Sequence, residues 1–305
     1  MKAGMKTLTY EQQKRRLGYW MVLPVFVVVF GVMVGFAAYT LILSLQNINL
    51  IGTQGVHFTG FASYAAVFHT KEMLAAIRNS LVWVGLSTAA VVLLGLAVGS
   101  ILSDAKGVSR FARSIMLVPW VLPGVVVAGV WKWMFGTQNG VINALLGSAG
   151  ILHSGIAWLG TPGTVLYAVI VVIVWRLFPL FSLVVASSVQ MIDVSLYEAG
   201  KVDGMNGWQG FLHITLPGIQ YQLLTMGLLN MIWIMNNLVL VNVMTGGGPL
   251  YYSETLPVYM YKLGFQYTKL SQAAAVTMVN FVMLLAISMI YVYFFRRAQK
   301  ARESV

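Results

Sequence analysis

Cysteine is absent from the 305-residue chain, so it can form neither a disulfide nor a thiolate metal site. Charge is nearly as scarce. Only 9% of residues are charged, where a soluble domain carries roughly 25%. Hydrophobic residues make up 59% of the chain and the mean hydropathy is +0.80. A water-soluble domain is excluded, and a lipid bilayer is the solvent this composition needs. There is also no G-x-x-x-x-G-K-[ST] phosphate loop. The nearest text, Gly200-Lys201-Val202, lacks both the loop and the hydroxyl, so the chain cannot hold ATP in that manner. No nucleophile–base pair or metal-ligand cluster stands out, which argues against a membrane enzyme. His57, His69, His153 and His213 are scattered and read as loop residues, with no metal site among them.

What is present is a series of long apolar runs. A span needs about 20 mainly apolar residues. Six segments qualify: Tyr19–Leu45, Ser80–Leu102, Phe111–Phe135, Thr164–Met191, Ile219–Met244 and Ala273–Phe295. Helices are expected, because backbone polar groups in lipid must be satisfied within their own segment. The first run is too long for a signal-peptide core and no cleavage site follows it, so it reads as a retained span. None of the eight acidic residues falls inside these six segments. A proton-coupled carrier commonly uses an intramembrane carboxylate, so this absence counts against that class.

The 19 basic residues set the orientation. Thirteen lie in the N-terminal stretch, the second-to-third and fourth-to-fifth connections and the tail, five lie on the other side, and Arg176 lies within a span. The positive-inside rule then places both termini in the cytoplasm. This sidedness also accounts for the formal charge of +11 without a nucleic-acid partner. The expected organisation is a cytoplasmic segment 1–18, a six-span membrane domain 19–295 and a cytoplasmic tail 296–305. The outer connections are nearly uncharged and suit either a docked protein or the lipid headgroups. Among them, GVINALL and GIAWLGTPG read as short interfacial helices, with Trp158 as an anchor.

One cytoplasmic connection, about 192–218, differs from its surroundings. Its core, LYEAGKVDGMNGWQGFLHITLPG, is polar and glycine-rich, and Asp193, Glu198 and Asp203 lie in or beside it. Ser195-x-x-Glu198 has the spacing of a capping box. A short helix is expected from Leu196 to about Asp203, stopped by Gly204 in the left-handed conformation. A second should run through Trp208 to Thr215 and end before Pro217, which disfavours helical geometry at Leu216.

Glu198-Ala199-Gly200, then Asp203-Gly204, then Phe211, Ile214, Leu216 and Pro217 resemble the EAA loop of ABC-importer permeases. NNLVLVNVMTGGGP, WLGTPG, WRLFP and FASYAAVF are similar to the maltose-type (MalF-like) branch, and the resemblance runs from about Phe58 to Arg297. It implies a six-helix type I importer permease in a bacterial inner membrane. It also implies that Tyr197, Glu198, Ala199, Gly200, Asp203, Gly204, Phe211 and Pro217 form the coupling loop to a separate ATPase. The expected partners are a second, MalG-like permease, a MalK-like ATPase dimer that uses ATP and magnesium, and an extracytoplasmic sugar-binding protein. This chain itself is expected to bind no cofactor. An ion-coupled sugar carrier without an ATPase is the alternative. The chain departs from the family pattern at Gly200 and Met205, where alanine is usual, and at Asp193, where proline is common. Gly200 is expected to loosen the helix by about 1 kcal/mol relative to alanine.

Asn230, Trp233 and Asn237 are spaced for one helical face. Two amides around an aromatic plane suit a sugar, and they equally suit interhelical packing. The resemblance favours the sugar path at Trp233 and Asn237, with Asn236 expected to face elsewhere. Arg176 either contacts substrate or anchors backbone carbonyls. Thr245–Pro249, TGGGP, reads as a helix break at the outer face.

Overall fold

The computed structural model describes residues 10–48, 56–104 and 110–303. Lys2, Lys6 and Lys106, three of the cations used for sidedness, lie outside them. Among the described residues, four helices are long and apolar enough to cross a membrane, and two bent helix pairs bring the number to six if each pair is one span. The first span is α1 (Tyr10–Ser44) and the second α3 (Lys71–Asp104). The fourth is α8 (Val165–Val189) and the last α15 (Leu270–Glu303). The helices α1, α3 and α15 run well past the apolar segments. Hydropathy marks only the lipid-embedded stretch, whereas backbone hydrogen bonding continues through the polar flanks.

The third and fifth spans are not continuous helices. The third comprises α4 (Arg110–Met116), α5 (Val118–Val121) and α6 (Gly124–Met134), with a 94° bend before α6. Pro119 and Pro123 explain the break. Leu122, preceding Pro123, is extended at φ −60°, ψ 138°, the geometry a following proline favours. The fifth comprises α12 (Gln220–Met235) and α13 (Leu238–Met244), bent by 41°. Asn237 starts α13 as an N-cap, its side-chain oxygen accepting from the Leu240 amide at 3.1 Å.

Burial is greatest along α8, which packs along α3. The approach is close. A Cβ on Gly99 of α3 would sit 2.6 Å from the Ser182 carbonyl oxygen, so a small residue is needed there. Trp83 of α3 donates its indole N–H to the Ile234 carbonyl of α12 at 2.7 Å. The first span, α1, packs against α15 and is otherwise exposed, as suits a lipid-facing helix.

The outer connections depart from expectation in two places. A two-residue antiparallel pair, β1 (Gln46–Asn47) with β2 (His57–Phe58), is added to the expected all-helical fold. It precedes α2 (Ala62–Phe68), which is the FASYAAVF segment. GVINALL does form a helix, α7 (Val141–Ser148), but GIAWLGTPG is a series of turns. Asn143 organises those turns. It donates to the carbonyls of Gly136, Thr137 and Ile156 and accepts from the indole of Trp158 at 2.8 Å. Trp158 is thus tied into the loop through its indole N–H. TGGGP does end α13, with Gly246 at φ 59° and Gly247 at φ 84°.

The segment after TGGGP is fastened to the start of α3. Asn79 donates to the carbonyls of Tyr251 (2.7 Å) and Glu254 (3.0 Å). Ser80 accepts from the Leu256 amide at the start of α14 (Leu256–Tyr261). Glu254 is 1% exposed and pairs with Lys262 at 3.1 Å. Lys262 opens a widened, π-type turn, Lys262–Gln266.

Candidate functional site

Two regions hold the residues that the sequence singles out. The first is the connection from Asp193 to Gly218, and its first helix is α9 (Val194–Val202). The cap is not the Ser195–Glu198 box. Asp193 caps α9, accepting from the Ser195 amide at 2.9 Å, and that bond holds its carboxyl below the usual aspartate range. The acid that replaces the family's proline therefore starts the helix, and Ser195 lies inside it. Gly204 does end α9, at φ 80°. The Met205 amide returns to the Gly200 carbonyl at 2.8 Å and the Gly204 amide to the Lys201 carbonyl. These are the two bonds of a Schellman turn.

The capping box lies one helix later. Asn206 and Gln209 exchange side-chain and backbone bonds, both 2.9 Å, at the start of α10 (Gly207–Gly210). N-x-x-Q is readable in the sequence and was the available signal. The helix does not stop before Pro217. A π-type turn over Phe211–Thr215 is followed by α11 (Leu216–Gly218), and Leu216 is helical at φ −62°, ψ −41°. In the wide turn the Leu216 amide donates to the Phe211 carbonyl. Proline has no N–H to complete an α-turn, and the wider spacing accommodates it. His213 lies in this turn and not in a loop.

The two arms are fastened by Tyr197 and Thr215, whose hydroxyls share a hydrogen bond of 2.8 Å. Gly200 lies where the second arm packs on α9. It is buried, and a Cβ there would come 2.9 Å from the Met205 methyl and 3.4 Å from Ile214. The two departures from alanine are one packing arrangement, in which Met205 fills the space Gly200 leaves. Glu198, Ala199 and Asp203 are exposed, and so are the apolar residues Val194, Leu196, Val202 and Trp208. Trp208 stacks on Phe211 at a centroid distance of 5.6 Å.

The second region is a cavity of about 660 Å³ onto which both broken spans open. Trp120 and Gly124 line it from the third span, Ile173, Arg176 and Leu177 from α8, and Ile232, Trp233, Asn236, Asn237, Leu238 and Val239 from the fifth. The structure brings Arg176, Trp233 and Asn237 together, and Trp233 is 41% exposed. It does not bring Asn230. That residue is 1% exposed and donates to the Met226 carbonyl one turn back. Asn236, expected to face elsewhere, lines the same wall, because the bend at Asn236–Asn237 ends the regular helical spacing. Trp120 was missed, although the two prolines around it marked a break. Arg176 does anchor a carbonyl. Its Nη2 donates to Leu122 at 3.1 Å, which satisfies an acceptor left over by the break.

Six helical spans, two of them broken around a shared cavity, define a multi-pass membrane permease. The chain belongs to the family described as binding-protein-dependent transport system inner membrane component, which matches residues 91–300. A probable ABC transporter permease of Brucella suis is 29% identical over 95% of this chain and 100% of its own length. The diacetylchitobiose uptake system permease DasB of Streptomyces coelicolor is 30% identical over 82% of this chain and 77% of its own. The trehalose/maltose transport system permease MalF of Thermococcus litoralis is 28% identical over 93% and 95%. The same fold is found in a bacterial alginate ABC transporter crystallised with a periplasmic protein. The TM-score there is 0.76 at 23% identity, over 96% of this chain and 98% of the other. Nothing in these similarities favours an ion-coupled carrier.

Proposed function

We propose that this chain is one permease subunit of an ATP-driven importer for a sugar, with both termini and the 192–218 connection in the cytoplasm. The cavity carries the substrate reading. Trp233 and Trp120 offer flat apolar faces for a sugar ring, and Asn236 and Asn237 offer amides for hydroxyls. The sugars named for DasB and MalF support the same reading. The complete partner set is a second, MalG-like permease, a MalK-like ATPase pair that binds ATP and magnesium, and an external sugar-binding protein.

Coupling follows from the shape of the cytoplasmic connection. Tyr197, Gly200, Gly204 and Pro217 hold its two arms as one body, while Glu198, Ala199 and Asp203 remain exposed. A body of that kind transmits displacement rather than bending. When the ATPase pair closes on ATP, the connection moves with it. The spans then change the side on which the cavity opens.

Reconstitution with the products of neighbouring transport genes tests the reading. Sugar uptake should require ATP inside the vesicle and the binding protein outside it, and Asn237→Ala should slow uptake in an intact complex. Uptake driven by an ion gradient with no ATPase present would overturn the proposal.

A further inference from the structure

Among the side chains that line the cavity, free hydrogen-bond donors outnumber acceptors, and each asparagine oxygen already accepts one bond. The side-chain oxygen of Asn237 is occupied by the Leu240 amide, which leaves its NH2 group as the free part. The side-chain oxygen of Asn236 accepts from Asn280 at 3.3 Å, and its NH2 group donates to the Ile232 carbonyl. Trp120 and Trp233 carry indole N–H donors, and among the described residues neither has a hydrogen-bond partner. Arg176 has five donor hydrogens. One is engaged, by Leu122, and Nε is buried without a partner. No carboxylate lines the cavity, and among the described residues no acid pairs with Arg176.

The surroundings add to the positive potential. Nη1 of Arg176 lies where a Cβ on Gly124 would be 3.1 Å away. Gly124 is the first residue of α6, whose amide end carries partial positive charge. The Leu122 carbonyl offsets part of the repulsion between the guanidinium and that end, and an anion would offset more. A neutral sugar supplies hydroxyls, each both donor and acceptor, and would leave this charge unopposed. A carboxylate or phosphate supplies acceptors only and matches a guanidinium in the planar, two-pronged geometry.

We propose that the cavity takes a saccharide bearing an anionic oxygen group, a uronic acid carboxylate or a phosphate, with that group at Arg176 and the ring against Trp233. This rests on the importer reading above and specifies its substrate class. Arg176 thereby has two roles: it holds the Leu122 carbonyl at the break of the third span, and it recognises the substrate's charge.

The experiment begins with the cognate binding protein, screened by thermal shift against glucuronate and galacturonate disaccharides, sugar phosphates and neutral glucose and galactose disaccharides. The ligand it selects is then offered to the reconstituted importer. An anionic saccharide should be selected, and the uronate and phosphate arms identify which group it carries. Arg176→Gln should lower its uptake by at least about tenfold. Arg176→Lys, which keeps the charge but not the two-pronged geometry, should retain more uptake than Gln. Co-purification with the ATPase shows that each variant folds. Selection and uptake of a neutral sugar would overturn the proposal. So would equal losses in Gln and Lys, which would assign Arg176 to the Leu122 bond alone. ATP-driven uptake of none of these saccharides would overturn the sugar-importer reading itself, and this inference with it.

Discussion

The 192–218 connection and the connection after TGGGP both place acids in a short loop, with opposite results. In the first, Asp193, Glu198 and Asp203 are exposed beside exposed apolar side chains, and Tyr197 and Thr215 fasten its two arms to each other. In the second, Glu254 is buried with Lys262, and Asn79 and Ser80 lock the loop onto α3. The second loop pairs its carboxylate with a lysine and gives carbonyls and an amide to α3, all within this chain. The first leaves both charge and apolar surface available, which is what a docking element requires. A loop's acid content therefore does not distinguish docking from structure; the destination of each carboxylate does.

The comparison can be broken by substitution. Lys262→Ala should have the largest effect, because it leaves Glu254 as a buried charge without its partner. A loss of about 3 kcal/mol is expected, read as a lower unfolding temperature in detergent. The neutral pair Glu254→Gln with Lys262→Met should recover most of it. If Lys262→Ala proved neutral, the outer loop would not be the self-contained element described here. Gly204→Val comes next. A β-branched residue at φ 80° costs about 1–2 kcal/mol, and the strain falls on the Schellman turn between the two arms. ATP hydrolysis should lose its dependence on sugar while membrane insertion is retained. Normal sugar-stimulated hydrolysis in this variant would remove the connection from the coupling path.

Acid should separate the two loops more gently. Burial pushes the Glu254 carboxyl above its ordinary range, with Lys262 opposing. The folded loop therefore takes up that proton before the unfolded chain does. Its stability rises as pH falls from the raised value to the ordinary one. Asp193 is held low, so its contribution is present above the ordinary aspartate value and is lost as pH falls through the lowered one. Hydrogen exchange against pH should show the 250–262 segment gaining protection first and α9 losing it at lower pH. Glu254→Gln should remove the outer step and Asp193→Asn the inner one. The smallest effect belongs to Gly200→Ala. Helix propensity gains about 1 kcal/mol, and the displaced Met205 methyl returns part of it. The net change in unfolding temperature of the complex should be close to zero. A large loss would show that the glycine, and not its fit with Met205, is what the turn requires.

Much of the molecule was legible in the residues themselves. Lipid-length apolar runs marked all six spans, and Gly204 and TGGGP marked two chain reversals, because glycine at positive φ is a local property. Local competition was harder to read. Ser195 and Asp193 both offered a cap, and the aspartate took it because its carboxylate reaches the Ser195 amide. Pro217 was read as a stop, but a π-type turn before it let the helix continue. The Glu254–Lys262 pair was not anticipated, since nothing in the linear text says that Glu254 lies beneath the outer surface.

Composition and spacing alone determined a membrane chain of six spans, an unusual polar connection between the fourth and fifth, and the absence of a phosphate loop. Those follow from solvent preference and from residues whose effect is confined to a few neighbours. Only the tertiary structure decided which residues share a cavity. The Asn230–Trp233–Asn237 spacing assumed an unbroken helix, whereas the chain breaks at Asn236–Asn237 and again at Leu122–Pro123. The two breaks line one cavity beside α8, where Arg176 holds one of them. A periodicity holds only while the helix continues, so the site was settled where the helices break and by the helix that lines the cavity with them.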